Sequence, residues 1–253
     1  MSDGLLLEVC VDDAGGLHAA VEGGADRIEL CSSLDLGGVT PSAGLMAEAA
    51  RVGVPVIALI RPRAGGFVYS AAEERVMLDD IERARDLGLA GVAIGALDAN
   101  NRLDLAMLER LATNAAPLQL TLHRAFDLVP DPLEALEQAV TLSFDRILTS
   151  GGARQAPAGA AQLAACVAQS RGRIRILAGS GITPANVDAL LAATGVHEVH
   201  ASCRAPAAEP APELLAFGFA AASSARSTSA AVVRALKQRL LDYVQSSPIK
   251  TPS

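Results

Sequence analysis

The sequence has no tryptophan, two tyrosines and five phenylalanines among 253 residues. At 3% aromatic, its core must be built from Ala, Leu, Val and Ile. The four cysteines, Cys10, Cys31, Cys166 and Cys203, are far apart and form no CxxC pair. That excludes a dense disulfide framework and points to a reducing, cytoplasmic setting. Charge is sparse, at 19% of residues, and acidic on balance: 21 Lys+Arg against 28 Asp+Glu, a net −7. A nucleic-acid partner is not expected from that balance. The apolar runs, such as 52–60, stop well short of the roughly 18 residues of a membrane span, so no membrane partner is expected either. No basic stretch opens the chain, so a secretory leader is not expected.

What is present is a large apolar fraction, 51%, in a repeating order. A short β-branched run is followed by a Gly/Pro/Ser-rich loop and then by an Ala/Leu-rich amphipathic stretch. Strands are predicted at 5–11, 27–31, 56–60, 91–95, 119–123, 146–149, 175–178 and 198–200. Helices are predicted near 14–23, 42–51, 71–87, 104–115, 132–142, 159–170, 184–193 and 229–244. Thr183-Pro184 and Asp131-Pro132 place a capping residue before proline at a first helical position. Eight βα units at this length predict an α/β fold, a single (β/α)8 TIM barrel spanning 1–253. The rival, a doubly wound sheet, usually shows a GxGxxG turn after its first strand, and 10–16 is not one. The Ala/Pro/Ser-rich stretch 204–228 is expected to be a connection before the last helix, and 246–253 a frayed tail.

In such a barrel, polar residues at the C-terminal ends of the strands mark the active face. Seven of the eight predicted strands end in them. Glu8 and Cys10 close the first strand, Glu29 and Cys31 the second; Arg61 and Arg63 follow the third. His123, Arg124 and Asp127 follow the fifth, Thr149, Ser150 and Gly151 the sixth. Gly179, Ser180 and Gly181 end the seventh, His200 and Ser202 the eighth. Period-two alternation points Glu8 with Cys10 and Glu29 with Cys31, with each cysteine one layer above its glutamate. Two carboxylates and two thiols would then face one another, joined by His123 and His200.

These residues suit two chemistries. Glu8, Glu29, His123 and Asp127 are candidate acid and base groups for an isomerase, lyase or hydrolase. Arg61, Arg63, Arg124, Ser150, Gly151, Gly179, Gly181, His200 and Ser202 would hold a small anionic, even phosphorylated, metabolite. A hard-metal version would use Glu8, Glu29 and His200. Against these stand plainer readings. The glutamates could form a buried ion network with Arg61 or Arg124, and the cysteines could be small core residues. Gly65-Gly66 makes a hinged lid at 64–70 conceivable.

The motifs resemble a known family. Glu8-Val9-Cys10, the stretch from Gly24 through Arg27-Ile28-Glu29-Leu30-Cys31, Ile60-Arg61-Pro62-Arg63 and Gly65-Gly66-Phe67-Val68-Tyr69-Ser70 look like the CutC family of copper homeostasis proteins. His123-Arg124-Ala125-Phe126-Asp127, Thr149-Ser150-Gly151, Gly179-Ser180-Gly181 and Glu198-Val199-His200-Ala201-Ser202 continue the match. The resemblance runs over about 6–203 and ends where the chain turns Ala- and Pro-rich. It implies a cytoplasmic TIM barrel, a homo-oligomer (dimer or tetramer) and a role in copper homeostasis. It also implies Cu(I) as cofactor or cargo, bound through Cys10 and Cys31, since soft thiolates select that ion. It assigns no enzymatic activity.

Overall fold

A computed structural model describes residues 4–219 and 226–246. Eight parallel strands close into a barrel in chain order. They are β1 (Leu6–Val11), β2 (Arg27–Leu30), β3 (Val56–Leu59), β4 (Gly91–Ile94), β5 (Gln119–Leu122), β6 (Arg146–Thr149), β7 (Arg175–Gly179) and β8 (Glu198–Ala201). The helices between and after them are α1 (Ala14–Glu22), α2 (Ala43–Ala49), α3 (Ala71–Asp86), α4 (Leu105–Ala115), α5 (Pro132–Thr141), α6 (Ala160–Ser170) and α7 (Val187–Thr194). This is the expected (β/α)8 barrel.

The local chemistry explains the boundaries. Asp13 caps α1 by accepting from the Gly16 amide, and Ser70 with Glu73 forms a capping box on α3. Asp131 caps α5 ahead of Pro132. At α7 the helix begins later than the Thr183-Pro184 signal suggests. Asn186 takes the Thr183 amide at 2.9 Å and donates to the Gly181 carbonyl at 2.8 Å, so 183–186 form a turn instead. Strands β2, β3, β4 and β6 are buried throughout, as a sheet covered on both faces requires. Their outward residues, such as Ile28, Val56 and Ala58, join the main core under the helices. The alternate residues Ile57, Leu59 and Ala93 form a separate cluster with Cys31, inside the barrel.

The stretch after β8 is more than a connection. Strand β9 (Arg204–Pro206) pairs antiparallel with β10 (Arg226–Thr228), and a short α8 (Pro212–Ala216) precedes β10. Helix α9 (Ala230–Ser246) then returns to the barrel, burying Val233, Leu236 and Leu240 against it. The expected frayed tail, beyond Ser246, lies outside the described residues. Among the described residues no helix is long and apolar enough to cross a membrane.

Candidate functional site

Strand register decides which side chains meet. Glu8 is level with Arg27 on one side and with His200 on the other, while Cys10 is level with Glu29. Alternation alone has the two carboxylates and the two thiols face one another; the register sets a thiol level with a carboxylate instead. Closing a barrel staggers neighbouring strands, and here the offset between β1 and β2 is two residues. Cys31 is therefore one layer higher than Cys10. It is fully buried, and its thiol donates to the Val11 carbonyl at 3.4 Å. Burial pushes that thiol far up, with the Glu29 charge adding to it.

The barrel floor is ionic. Arg27 binds Glu8 and, at 2.6 Å, Glu198. Arg146 reaches Thr121 at 3.1 Å and Gln119 at 2.7 Å, with Glu198 3.6 Å away. Burial raises the Glu8 carboxyl, but Arg27 and His200 outweigh it and bring it down to about 2. Arg27, Arg146 and Glu198 were not singled out from the sequence. Their signal was a charged residue at the first position of a strand.

Above this floor Cys10, Glu29 and His200 converge, with ligand atoms all within 4.8 Å of one another. His200 Nδ1 lies 2.8 Å from Glu8 Oε1, which leaves Nε2, 3.7 Å from Glu29, facing the cluster. Burial pushes Glu29 up to about 7, with Glu8 adding to the rise and His200 and Arg27 opposing it. Burial works against a charged His200. The negative charges of Cys10 and Glu29 and hydrogen bonds to Cys10 and Glu8 override it and hold the ring well above 6.5.

The cluster opens into a cavity of about 460 Å³ at the C-terminal end of the barrel. Cys10, Glu29, Arg61, His123, Arg124, Gly181, His200 and Ser202 all line it, so eight of the candidates, from six strand ends, meet here. Phe67, Cys203 and Arg204 also line it, and the sequence assigns none of them a place in the site. His123 is seated by its neighbours: a Cβ at Gly95 would come within 2.5 Å of the imidazole, so only glycine fits there.

Other candidates lie apart from the cavity lining. Glu8 is below it, in the floor. Arg63 turns outward to Glu73 and ties down the carbonyls of Ala64, Gly66 and Val68. Asp127 accepts from Thr149, from the Ser150 and Gly152 amides and from Arg124, so it braces the loop after β6. Ser150 and Gly151 belong to that brace. Gly179 is packed against Leu148, which a Cβ would approach to 2.5 Å.

Comparisons with known proteins agree with this picture. The CutC family model matches residues 5–205. A protein of Rhizobium meliloti (strain 1021), named family protein CutC, is 57% identical over 236 residues, 92% of this chain and 95% of that one. One of the same name from Sinorhizobium medicae (strain WSM419) is 56% identical over 92% of this chain and 95% of its own. Among solved structures, a CutC from Streptococcus agalactiae superposes with a TM-score of 0.75 at 34% identity, covering 78% of this chain and 98% of that one. The family match stops at 205, where the barrel gives way to β9 and the excursion before α9. From β1 to β8, in sequence and in fold, this chain belongs to the CutC family.

Proposed function

We propose that this protein serves copper homeostasis by taking up one cuprous ion at the barrel mouth. The Streptococcus agalactiae relative is named a copper homeostasis protein. The observation that carries the reading is the convergence of Cys10, Glu29 and His200 donor atoms within 4.8 Å. A thiolate and an imidazole are soft and borderline donors, the set Cu(I) prefers, whereas Glu29 is hard and suits it poorly. Cys10 and His200 are the primary ligands in this reading.

Glu8 supports that role. A carboxylate on one imidazole nitrogen fixes the ring and leaves the other for the metal, a common arrangement around bound metals. Glu8 does this to His200 through Nδ1. Uptake displaces protons from the ligands, so it is coupled to proton release. Cys31, a layer above on β2, acts as an accessory thiol that leaves its bond to Val11 when the ion arrives.

The test is an anaerobic Cu(I) competition against a chromophoric chelator. Wild-type protein is expected to take one equivalent. Cys10→Ser is expected to abolish stoichiometric uptake, and Cys31→Ser to weaken it while keeping the stoichiometry. Uptake unchanged in Cys10→Ser would sink the assignment.

A further inference from the structure

Two donors on the cavity wall lack what they need. His123 follows β5, and its Nδ1 accepts the Ala125 amide at 3.2 Å. A ring nitrogen that accepts carries no proton, so in the neutral imidazole the proton is on Nε2. Burial, and then the Arg61 charge, hold the ring neutral and bring its pKa down to about 3. Nε2–H is therefore a standing donor. It is buried and has no acceptor among the described residues. Buried polar groups are nearly always paired, so an orphan on a cavity wall calls for an explanation.

Arg61, just after β3, lacks a counter-charge. It is 7% exposed, and its Nη groups donate to the carbonyls of Leu36, Gly38 and Gly65 at 3.1, 2.7 and 2.7 Å. Carbonyls satisfy its hydrogens but not its charge, and Nε has no partner among the described residues. Of the other arginines of the barrel interior and mouth, the buried or half-buried ones each face a carboxylate, while Arg226 is exposed at the cavity rim and donates to the Arg204 carbonyl. Arg27 and Arg146 have Glu198, Arg124 has Asp127, and Arg204 has Asp35. A buried cation without a partner is unfavourable unless a ligand supplies the anion. Phe67 joins the two groups: its ring is 5.0 Å from the Arg61 guanidinium and 5.1 Å from the His123 ring.

We infer that the cavity binds a small organic carboxylate, its charge set against Arg61 and an oxygen accepting from His123 Nε2–H. One buried uncompensated cation and one neutral donor match a single charge spread over two oxygens. A phosphate dianion would need a second cation beside Arg61; Arg124 and Arg204 are already paired, and Arg226 is exposed at the rim, where solvent screens its charge. The inference rests on the barrel mouth being the functional site, and it does not require copper. It also gives His123 a different part from the acid/base role expected from the sequence. With its proton fixed on Nε2, the ring donates to a bound oxygen and does not abstract a proton.

The experiment is calorimetric titration of the copper-free full chain with the monocarboxylates pyruvate, lactate and acetate. Inorganic phosphate, and chloride at matched ionic strength, serve as comparators. At least one carboxylate is expected to bind saturably, and phosphate more weakly. His123→Phe should weaken that binding about tenfold or more, the loss of one hydrogen bond to a charged acceptor. His123→Gln, which puts an amide donor near the same place, should recover part of it. Because the titrated protein holds no copper, saturable carboxylate binding there separates this site from the copper assignment, whatever the Cu(I) competition shows. A long-range nitrogen–proton NMR spectrum of the wild type, which needs no variant to fold, should show His123 protonated at Nε2 only. Absence of saturable carboxylate binding, phosphate binding as tight as the carboxylate, equal binding in wild type and His123→Phe, or a proton on Nδ1 would each overturn the inference.

Discussion

Glu8 on β1 accepts from His200 Nδ1 on β8 across the seam where the barrel closes, at 2.8 Å. The same carboxylate also binds Arg27 from β2, so one buried side chain ties three strands together. Its loss should register both in stability and in the orientation of His200. Glu8→Gln keeps the shape but leaves Arg27 poorly compensated. Removing one partner of a buried pair typically costs about 3 kcal/mol or more. Urea unfolding should show a loss of that order. Copper affinity should fall about tenfold, the usual consequence of removing a carboxylate behind a ligating histidine. Affinity equal to the wild type would separate Glu8 from the site and leave it a purely structural residue.

His123 predicts a pH dependence of stability. Its folded pKa is about 3, lowered by burial and by Arg61 from 6.5. Below 6.5 the unfolded chain gains a proton there that the folded chain refuses, so this group makes the fold less stable as pH falls from 6.5 toward 3. Between pH 7.5 and 5 the loss is about 2 kcal/mol. Glu29 and His200 act in the opposite sense over this range, because both are raised in the fold and their contributions grow as pH falls. The measurement is therefore a difference: unfolding free energies of wild type and His123→Gln at both pH values. The variant should be relatively better off at pH 5. Parallel pH profiles would show that His123 is not held neutral by the fold.

The barrel and most of its mouth were legible because both are written locally. Each strand is a short β-branched run, and period two with chain order puts the polar residue after it at one end of the barrel. His123, Arg61 and His200 could be placed on that basis alone. Stagger between strands is not local. It depends on how the whole barrel closes, so nothing near Cys10 reveals that its level partner is Glu29 and not Cys31. Asp127 and Arg63 follow strand ends as the others do, yet both turn to bracing loops, because carbonyls and amides of 64–68 and 150–152 need partners that only the folded loops define. Cys203 has no role assigned from the sequence for a related reason. It lines the cavity from a left-handed backbone position, φ 47°, that no pattern of side chains foretells.

Gly95, immediately after β4, is the one strand end without a polar side chain, and its lack of a Cβ is what admits His123. Gly95→Ala would put a methyl within 2.5 Å of the imidazole. Overpacking of that kind commonly costs about 1–3 kcal/mol, and the cheapest relief is for the ring to move. The variant should unfold at lower urea and show a displaced His123 signal by NMR. Unchanged stability together with an unmoved ring would mean that the wall of the cavity is softer than its packing implies.

Arg63 tests whether the 64–70 loop is held by its own side chains. The guanidinium takes the carbonyls of Ala64, Gly66 and Val68, pairs with Glu73 at the start of α3, and lies over the Tyr69 ring at 5.3 Å. All of this is at the surface, where a salt bridge contributes little. Arg63→Ala should therefore change global stability by no more than about 1 kcal/mol. The local effect should be larger. Amide exchange across 64–70 should quicken while the barrel strands keep their protection, because the loop loses a bracket that the core does not share. Phe67, which lies between Arg61 and His123, belongs to the same loop, so a loosened loop should also weaken whatever the cavity holds. Faster exchange with unaltered ligand binding would uncouple the loop from the site; no change in exchange would show that the loop is held from beneath, by Phe67 and Arg61, and that Arg63 only decorates it.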